Sequence, residues 1–207
     1  MKNLLILFIV FNCFGISAQT TAEKHHKLAT VYFKIGNAHL KAKDYYGAIA
    51  KYTEAIELFE DGGIYFNRGR AKQYLKDLNG ANDDYTRAIK IEPNFKAAYY
   101  NRGLNKLTLK DYDGSIADFT KTIGNGINYE KSYFKRGTAK LFLKDYYGAI
   151  SDYTRSIDFF PNYPNSYYNR GISKESLGDL NGACIDYKKA ESLGYNDPTK
   201  YVQKFCN

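Results

Sequence analysis

The stretch YYNRGLNKLTLKDYDGSIADF, residues 99–119, decides how the chain is read, because its pattern recurs. Its Gly103 is one of five anchor glycines, with Gly36, Gly69, Gly137 and Gly171, spaced by 33, 34, 34 and 34 residues. Twelve residues after each anchor stands a small residue: Ala48, Ala81, Ser115, Ala149, Ala183. Sixteen after comes an aromatic one (Tyr52, Tyr85, Phe119, Tyr153, Tyr187), and nineteen after another small one (Ala55, Ala88, Thr122, Ser156, Ala190). Four before each anchor is a tyrosine: Tyr32, Tyr65, Tyr99, Tyr133, Tyr167. Self-similarity at such a period marks stacked supersecondary units. Within a unit the apolar and small residues return every three and four, the helical period, over two segments of about 12 residues. Each unit is therefore a helix hairpin.

The turn inside each hairpin is equally regular. Asp44, Asp77, Asp111, Asp145 and Asp179 stand where a side-chain oxygen can cap the second helix. The anchor Gly and the small residue twelve further on remove bulk from facing positions, so the two helices are expected to approach closely. A second glycine column, Gly47, Gly80, Gly114, Gly148 and Gly182, falls in the first turn of the second helix. A helix interior charges such a glycine about 1 kcal/mol, and the sequence offers no compensating reason.

A charge ladder accompanies four of the five units: Arg68 with Asp84, Arg102 with Asp118, Arg136 with Asp152, Arg170 with Asp186. The first unit has Ile35 and Lys51 at those places. Both members change together, as a packed pair requires, since stranding one buried charge costs several kcal/mol. The ladder reads as structural. Lys72, Lys106, Lys140 and Lys174 follow the same four units, and the sequence leaves open which cation takes the carboxylate.

These columns resemble the tetratricopeptide repeat, whose order of aromatic, Gly or Ala, Ala, aromatic, Ala and Pro is matched by residues 99–119 and their sister segments. The resemblance covers residues 29 to 197, in units 29–61, 62–95, 96–129, 130–163 and 164–197. It implies an all-α fold, an α-solenoid wound as a right-handed superhelix. The closing Pro of the family pattern is present as Pro93 and Pro161 and replaced elsewhere, and the loop Gly124 to Tyr129 is the expected irregular joint. Asp197 and Pro198 form a helix start, so residues 198–207 are expected to be a C-terminal capping helix, with Lys200, Gln203 and Lys204 on its polar face. Cys184 sits in a column of isoleucines, and Cys206 would lie in that end helix. An antiparallel return brings the two together for a disulfide; the other reading is two free thiols with Cys184 small and buried.

At the other end, Lys2, the apolar run Leu4 to Phe14 and the small residues up to Ala18 have the order of a secretory signal peptide over 1–18. Residues 19–28 then form a lead-in. Eleven apolar residues fall short of the roughly 20 that a spanning helix needs. A lipid anchor on Cys13 is the minor alternative, because Val10, Phe11 and Asn12 supply no small residue before it. The expected location is exported, periplasmic or secreted.

Composition narrows the function classes. The 207 residues hold 21 Tyr and 13 Phe but no Trp and only 4 Pro, which excludes a disordered or Pro-rich chain. Three Cys and three His in no ligand spacing exclude a Cys/His zinc site. The net charge of +8 is spread along the chain. No phosphate loop and no nucleophile elbow is present, and Gly124-Asn125-Gly126 lacks the third glycine of a dinucleotide fingerprint. No catalytic residue, cofactor or metal is expected, and the export signal disfavours nucleic acid.

What remains is surface. By the resemblance, the first helices of the units line a groove for an extended peptide or a partner helix. Three columns face it: Phe33, Phe66, Tyr100, Phe134, Tyr168; Asn37, Arg70, Leu104, Thr138, Ile172; and Leu40, Gln73, Leu107, Leu141, Glu175. The rings are either partner anchors or packing between units. A terminal-carboxylate clamp of Lys and Asn, known in some family members, is kept at three of five places: Asn101, Lys131 and Lys135 match it, while Phe66 and Arg70 depart from it. The expected function is an exported, non-enzymatic protein-interaction module. The alternative is recognition of an anionic envelope glycan or polymer by basic and aromatic residues, which salt would weaken steeply.

Overall fold

The computed structural model describes residues 2–123, 130–195 and 206, with side chains described from Thr20 onward. Ten helices are present among them and no strand: α1 (Lys2–Lys41), α2 (Tyr45–Leu58), α3 (Gly62–Tyr74), α4 (Leu78–Ile91), α5 (Lys96–Thr108), α6 (Tyr112–Thr122), α7 (Glu130–Phe142), α8 (Tyr146–Phe159), α9 (Pro164–Ser176) and α10 (Leu180–Ser192). The fold is an all-α helical repeat of five hairpins. It divides into two compact units, Met1–Phe95 with α1 to α4 and Lys96–Asn207 with α5 to α10. In the first, α1 packs on α2, α2 on α3 and α3 on α4; in the second, each helix from α5 to α10 packs on the next.

Helix α1 runs unbroken from Lys2 into the first repeat, because residues 19–35 contain neither Gly nor Pro to stop it. A cut after Ala18 would fall inside this helix. Among the described residues no helix is long and apolar enough to cross a membrane. The joint at 124–129 and the end helix at 198–207 lie outside the described residues, apart from Cys206. Cys206 is in no helix, which corrects its expected place. A disulfide joins it to Cys184, with Cα atoms 5.4 Å apart.

Each hairpin turns on two residues. The first has positive φ: Lys43 at 62°, Lys76 at 66°, Lys110 at 64°, Lys144 at 62° and Gly178 at 83°. This left-handed residue lets two backbone N–H groups turn back on the helix. In the third hairpin Lys110 N–H donates to Leu107 O (3.2 Å) and Asp111 N–H to Lys106 O (2.9 Å). The aspartate then caps the next helix, its carboxylate accepting from the N–H of the second-column glycine, as Asp111 does from Gly114 at 3.0 Å. The cap explains that glycine column. A Cβ on Gly114 would fall on Asp111 Oδ2, and the other four glycines stand in the same relation to their caps.

The core is built from the aromatic column and its small neighbours. Tyr52, Tyr85, Phe119, Tyr153 and Tyr187 are fully buried, as are both small-residue columns. The anchor glycine and the small residue twelve further on do face each other, Ser115 Oγ donating to Gly103 O at 2.9 Å, and the glycine also makes room for the ring. A Cβ on Gly171 would stand 2.6 Å from Tyr187 Cε1. The buried phenols find acceptors, Tyr52 on Asn37 Oδ1 (2.7 Å), Tyr85 on Gln73 Oε1 (2.7 Å) and Tyr187 on Glu175 Oε2 (2.6 Å). Burial pushes the Tyr52 hydroxyl up to about 12 and those of Tyr85 and Tyr153 higher still. They stay neutral donors at any physiological pH.

Candidate partner-binding site

The ladder residues belong to the scaffold. Asp84, Asp118, Asp152 and Asp186 are buried, and each is held by both cations that the sequence offered. In the fourth hairpin Arg136 Nε and Nη2 donate to Asp152 Oδ2 and Oδ1 at 2.9 and 2.6 Å, while Lys140 Nζ lies 2.8 Å from Oδ2 as well. The third arginine nitrogen reaches back to the preceding unit: Arg68 to Thr53 Oγ1 (3.0 Å), Arg136 to Thr120 (3.1 Å), Arg170 to Thr154 (3.1 Å). These guanidinium groups, like that of Arg102, also lie over the tyrosine three residues earlier, at 5.4 to 5.6 Å. The threonine column is regular and was readable, but sequence reasoning passed over it. In the first unit Lys51 pairs with Glu54 instead (2.8 Å).

The ring column expected to anchor a partner is packed inward. Phe66 lies 5.8 Å from Tyr85 and 4.9 Å from Phe95. Tyr100 lies 5.7 Å from Phe119. Phe134, 9% exposed, lies 5.7 Å from Tyr153 and 5.1 Å from Tyr163. Burial raises the hydroxyl pKa of Tyr100 and of Tyr163, and the Tyr163 phenol beside Tyr100 adds to its rise. The columns beside the rings are half-buried at Arg70, Leu104, Leu107 and Leu141, and Leu141 packs on the cluster of Phe134, Ala149 and Tyr153. Several groove polar groups serve the phenols of the second helices, as Gln73 and Glu175 do. Phe66 and Arg70 belong to the first compact unit and the other expected groove residues to the second.

Three of those residues do converge. Lys131, Phe134 and Lys135, on the first two turns of α7, line a cavity of about 610 Å³ whose other walls are Ser156, Phe159, Phe160, Pro161, Asn162 and Tyr163. The chain after α8 makes these walls because Pro161 ends the helix and the Tyr167 hydroxyl donates to Pro161 O at 3.0 Å, pinning the loop. Phe159, Phe160 and Tyr163 stay 48%, 38% and 38% exposed, so the cavity offers open aromatic surface. The ammonium of Lys135 lies 5.6 Å from the Phe134 ring centre. Neither Lys131 nor Lys135 enters an ion pair among the described residues, unlike Lys140 one turn on. The nearby Asp158 is taken by Arg155 at 3.1 Å. An apolar pocket with two unspent cations can seat an apolar side chain next to a carboxylate. Asn101, the third clamp match, lies on α5 and lines neither this cavity nor the one below.

Sequence reasoning missed Phe159, Phe160, Asn162 and Tyr163, which fall after the helical period stops. The only signal was a cluster of aromatics around Pro161. A second cavity, of about 520 Å³ and lying in the first unit, is lined by Asn37, Leu40, Lys41, Lys43, Tyr45, Arg70 and Tyr74. Among the described residues no three His, Cys, Asp or Glu side chains gather to hold a metal.

Comparison with known proteins gives one family and one fold. Residues 29–61, 62–95 and 164–193 match the tetratricopeptide repeat family. MamA of Desulfovibrio magneticus superposes with a TM-score of 0.75 at 19% identity, over 82% of this chain and 96% of its own. YrrB, described as a TPR protein with an unusual peptide-binding site, superposes with a TM-score of 0.77 at 16% identity, over 84% and 90%. HcpD of Helicobacter pylori, whose given name ranks it provisionally as a beta-lactamase, is 42% identical over 57 residues, 28% of this chain and 16% of HcpD. The chain thus spans about a sixth of that relative's length. The structural likenesses carry the fold.

Proposed function

Because this chain is a tetratricopeptide-repeat protein, the general architecture of a protein-interaction scaffold, we propose that it is an exported, non-enzymatic module that holds a peptide segment of another protein. The α7–α8 cavity is the seat. The observation that carries this reading is the pair of lysines, Lys131 and Lys135, which enter no ion pair among the described residues and line a pocket walled by open aromatic surface. It selects a segment in which an acidic group, side chain or terminal carboxylate, stands beside a large apolar residue. The peptide-binding description of YrrB is consistent with such a role. Export rests on the charged, apolar and small-residue order of residues 1–18. The name of HcpD does not carry its activity here, since the match spans 16% of that protein.

The test is capture from the native envelope with the chain from Gln19 and with its Lys131→Ala, Lys135→Ala variant. A protein retained by the first and lost by the second supports the reading. Retention of an anionic polymer that salt removes steeply, with no protein, would replace it with the glycan alternative. The purified chain is expected to leave a chromogenic cephalosporin intact, and turnover would end the non-enzymatic assignment.

A further inference from the structure

We infer that the outer face of α1 is a second interaction surface, which takes an amphipathic helix with acidic flanks from another protein, as later units take the second helix of the unit before them. The repeat supplies its own template. In units whose predecessor lies in the same compact unit, the residues five and one before the anchor glycine touch that predecessor's second helix. Ser132 Oγ accepts from Thr122 Oγ1 at 2.7 Å and Ser166 Oγ lies 2.9 Å from Ser156 Oγ. Arg136 and Arg170 reach Thr120 and Thr154. In the first unit these two places hold Val31 and Ile35, and Leu28 stands one turn earlier at the place that Tyr163 holds in the fifth. All three are open: Leu28 43%, Val31 49% and Ile35 37% exposed.

Leu28, Val31 and Ile35 are spaced by three and four, so they form one stripe along α1. The described residues before them, from Lys2 on, continue α1 itself. Replacing the ladder arginine by Ile35 removes the need for a threonine acceptor on the partner and asks for an apolar ridge. The flanks choose its charge. Lys27 and Lys34, seven residues apart and both exposed, run along the outer edge of the stripe, and Lys24 lies one turn before Leu28. A second copy of this helix would set lysine rows against each other. A foreign helix with an apolar ridge and acidic margins satisfies both features, and the docking continues the packing used inside the chain.

The test uses the full chain and a labelled, lactam-bridged helical peptide of residues 45–61, α2 with the three residues that follow it, which carries one Lys and four acidic residues. Fluorescence anisotropy should show saturable binding, weakened at least tenfold by Val31→Asp or Ile35→Asp with the helical circular dichroism unchanged. Lys27→Glu with Lys34→Glu should weaken it several-fold, and a peptide with its glutamates changed to lysine should recover the loss. Lys131→Ala with Lys135→Ala should leave this binding intact, which keeps the surface distinct from the α7–α8 cavity. No binding, or equal binding to the Val31 and Ile35 variants, overturns the inference. So does a concentration-dependent dimer that Ile35→Asp abolishes, since it would give the face to a second copy.

Discussion

Arg136 holds Asp152 with two nitrogens across the fourth hairpin, at 2.9 and 2.6 Å, while Lys140 grips the same carboxylate at 2.8 Å. One buried acid thus has two cations. Removing either cation alone should cost about 1–2 kcal/mol, and removing both, as Arg136→Met with Lys140→Met, about 3–5 kcal/mol, because only the double change strands the charge. Adding Asp152→Leu should recover most of the loss. Urea denaturation measures all four, and strictly additive losses would mean that the second cation does not share the load.

The Gly114 to Asp111 contact gives a prediction with a sign. Helix propensity alone makes Gly114→Ala stabilising by up to about 1 kcal/mol. The new Cβ would instead fall on the capping carboxylate, so the change should destabilise by about 1 kcal/mol or more through the lost cap. In an Asp111→Ala background the same substitution should stabilise. A stabilising Gly114→Ala in the unaltered protein would contradict this account of the column.

These two relationships show what was legible beforehand. The five hairpins, the caps and the ladder pairs were readable because each leaves a residue type at a fixed place in every unit. That the second glycine protects a cap was not, because it depends on where a side-chain oxygen sits rather than on which residues recur. The ring column was ambiguous for a similar reason. Phe134 and Tyr100 have the spacing of a groove but also neighbours in Tyr163 and Phe119, and only coordinates show the rings turned inward. The walls of the α7–α8 cavity lie in a loop, beyond the reach of periodicity.

Lys110 is held at φ 64° where the fifth hairpin has Gly178. A non-glycine residue in this region costs about 1–2 kcal/mol, and glycine's greater freedom in the unfolded chain offsets about half of the relief. Lys110→Gly should therefore stabilise by about 0.5–1 kcal/mol, and Gly178→Lys should destabilise. Thermal unfolding of the two variants checks it, and a Lys110→Gly protein that melts lower would show that the lysine side chain contributes more than its backbone costs.

The cap of the first hairpin should respond to acid. Asp44 accepts from the Gly47 N–H at 2.9 Å and lies 2.7 Å from His39 Nδ1, and these bonds hold its carboxyl below the ordinary 3.8. A depressed folded pKa means stability that is present above the unfolded value and lost as pH falls through the folded one. The urea midpoint should drop below about pH 4, and by less in Asp44→Asn, which still caps α2 but does not titrate. Equal drops in both proteins would remove Asp44 from the acid response.

The reading of the α7–α8 cavity as the seat of a partner is tested most directly by placing a photo-crosslinking residue at Lys131 or Lys135 of the chain in its native cell, with Tyr147, 77% exposed and outside the cavity, as the control. Irradiation should yield a discrete adduct to one other protein from positions 131 and 135 and none from 147. Adducts from 147 alone, or none from either lysine position while the chain is folded and abundant, would contradict it.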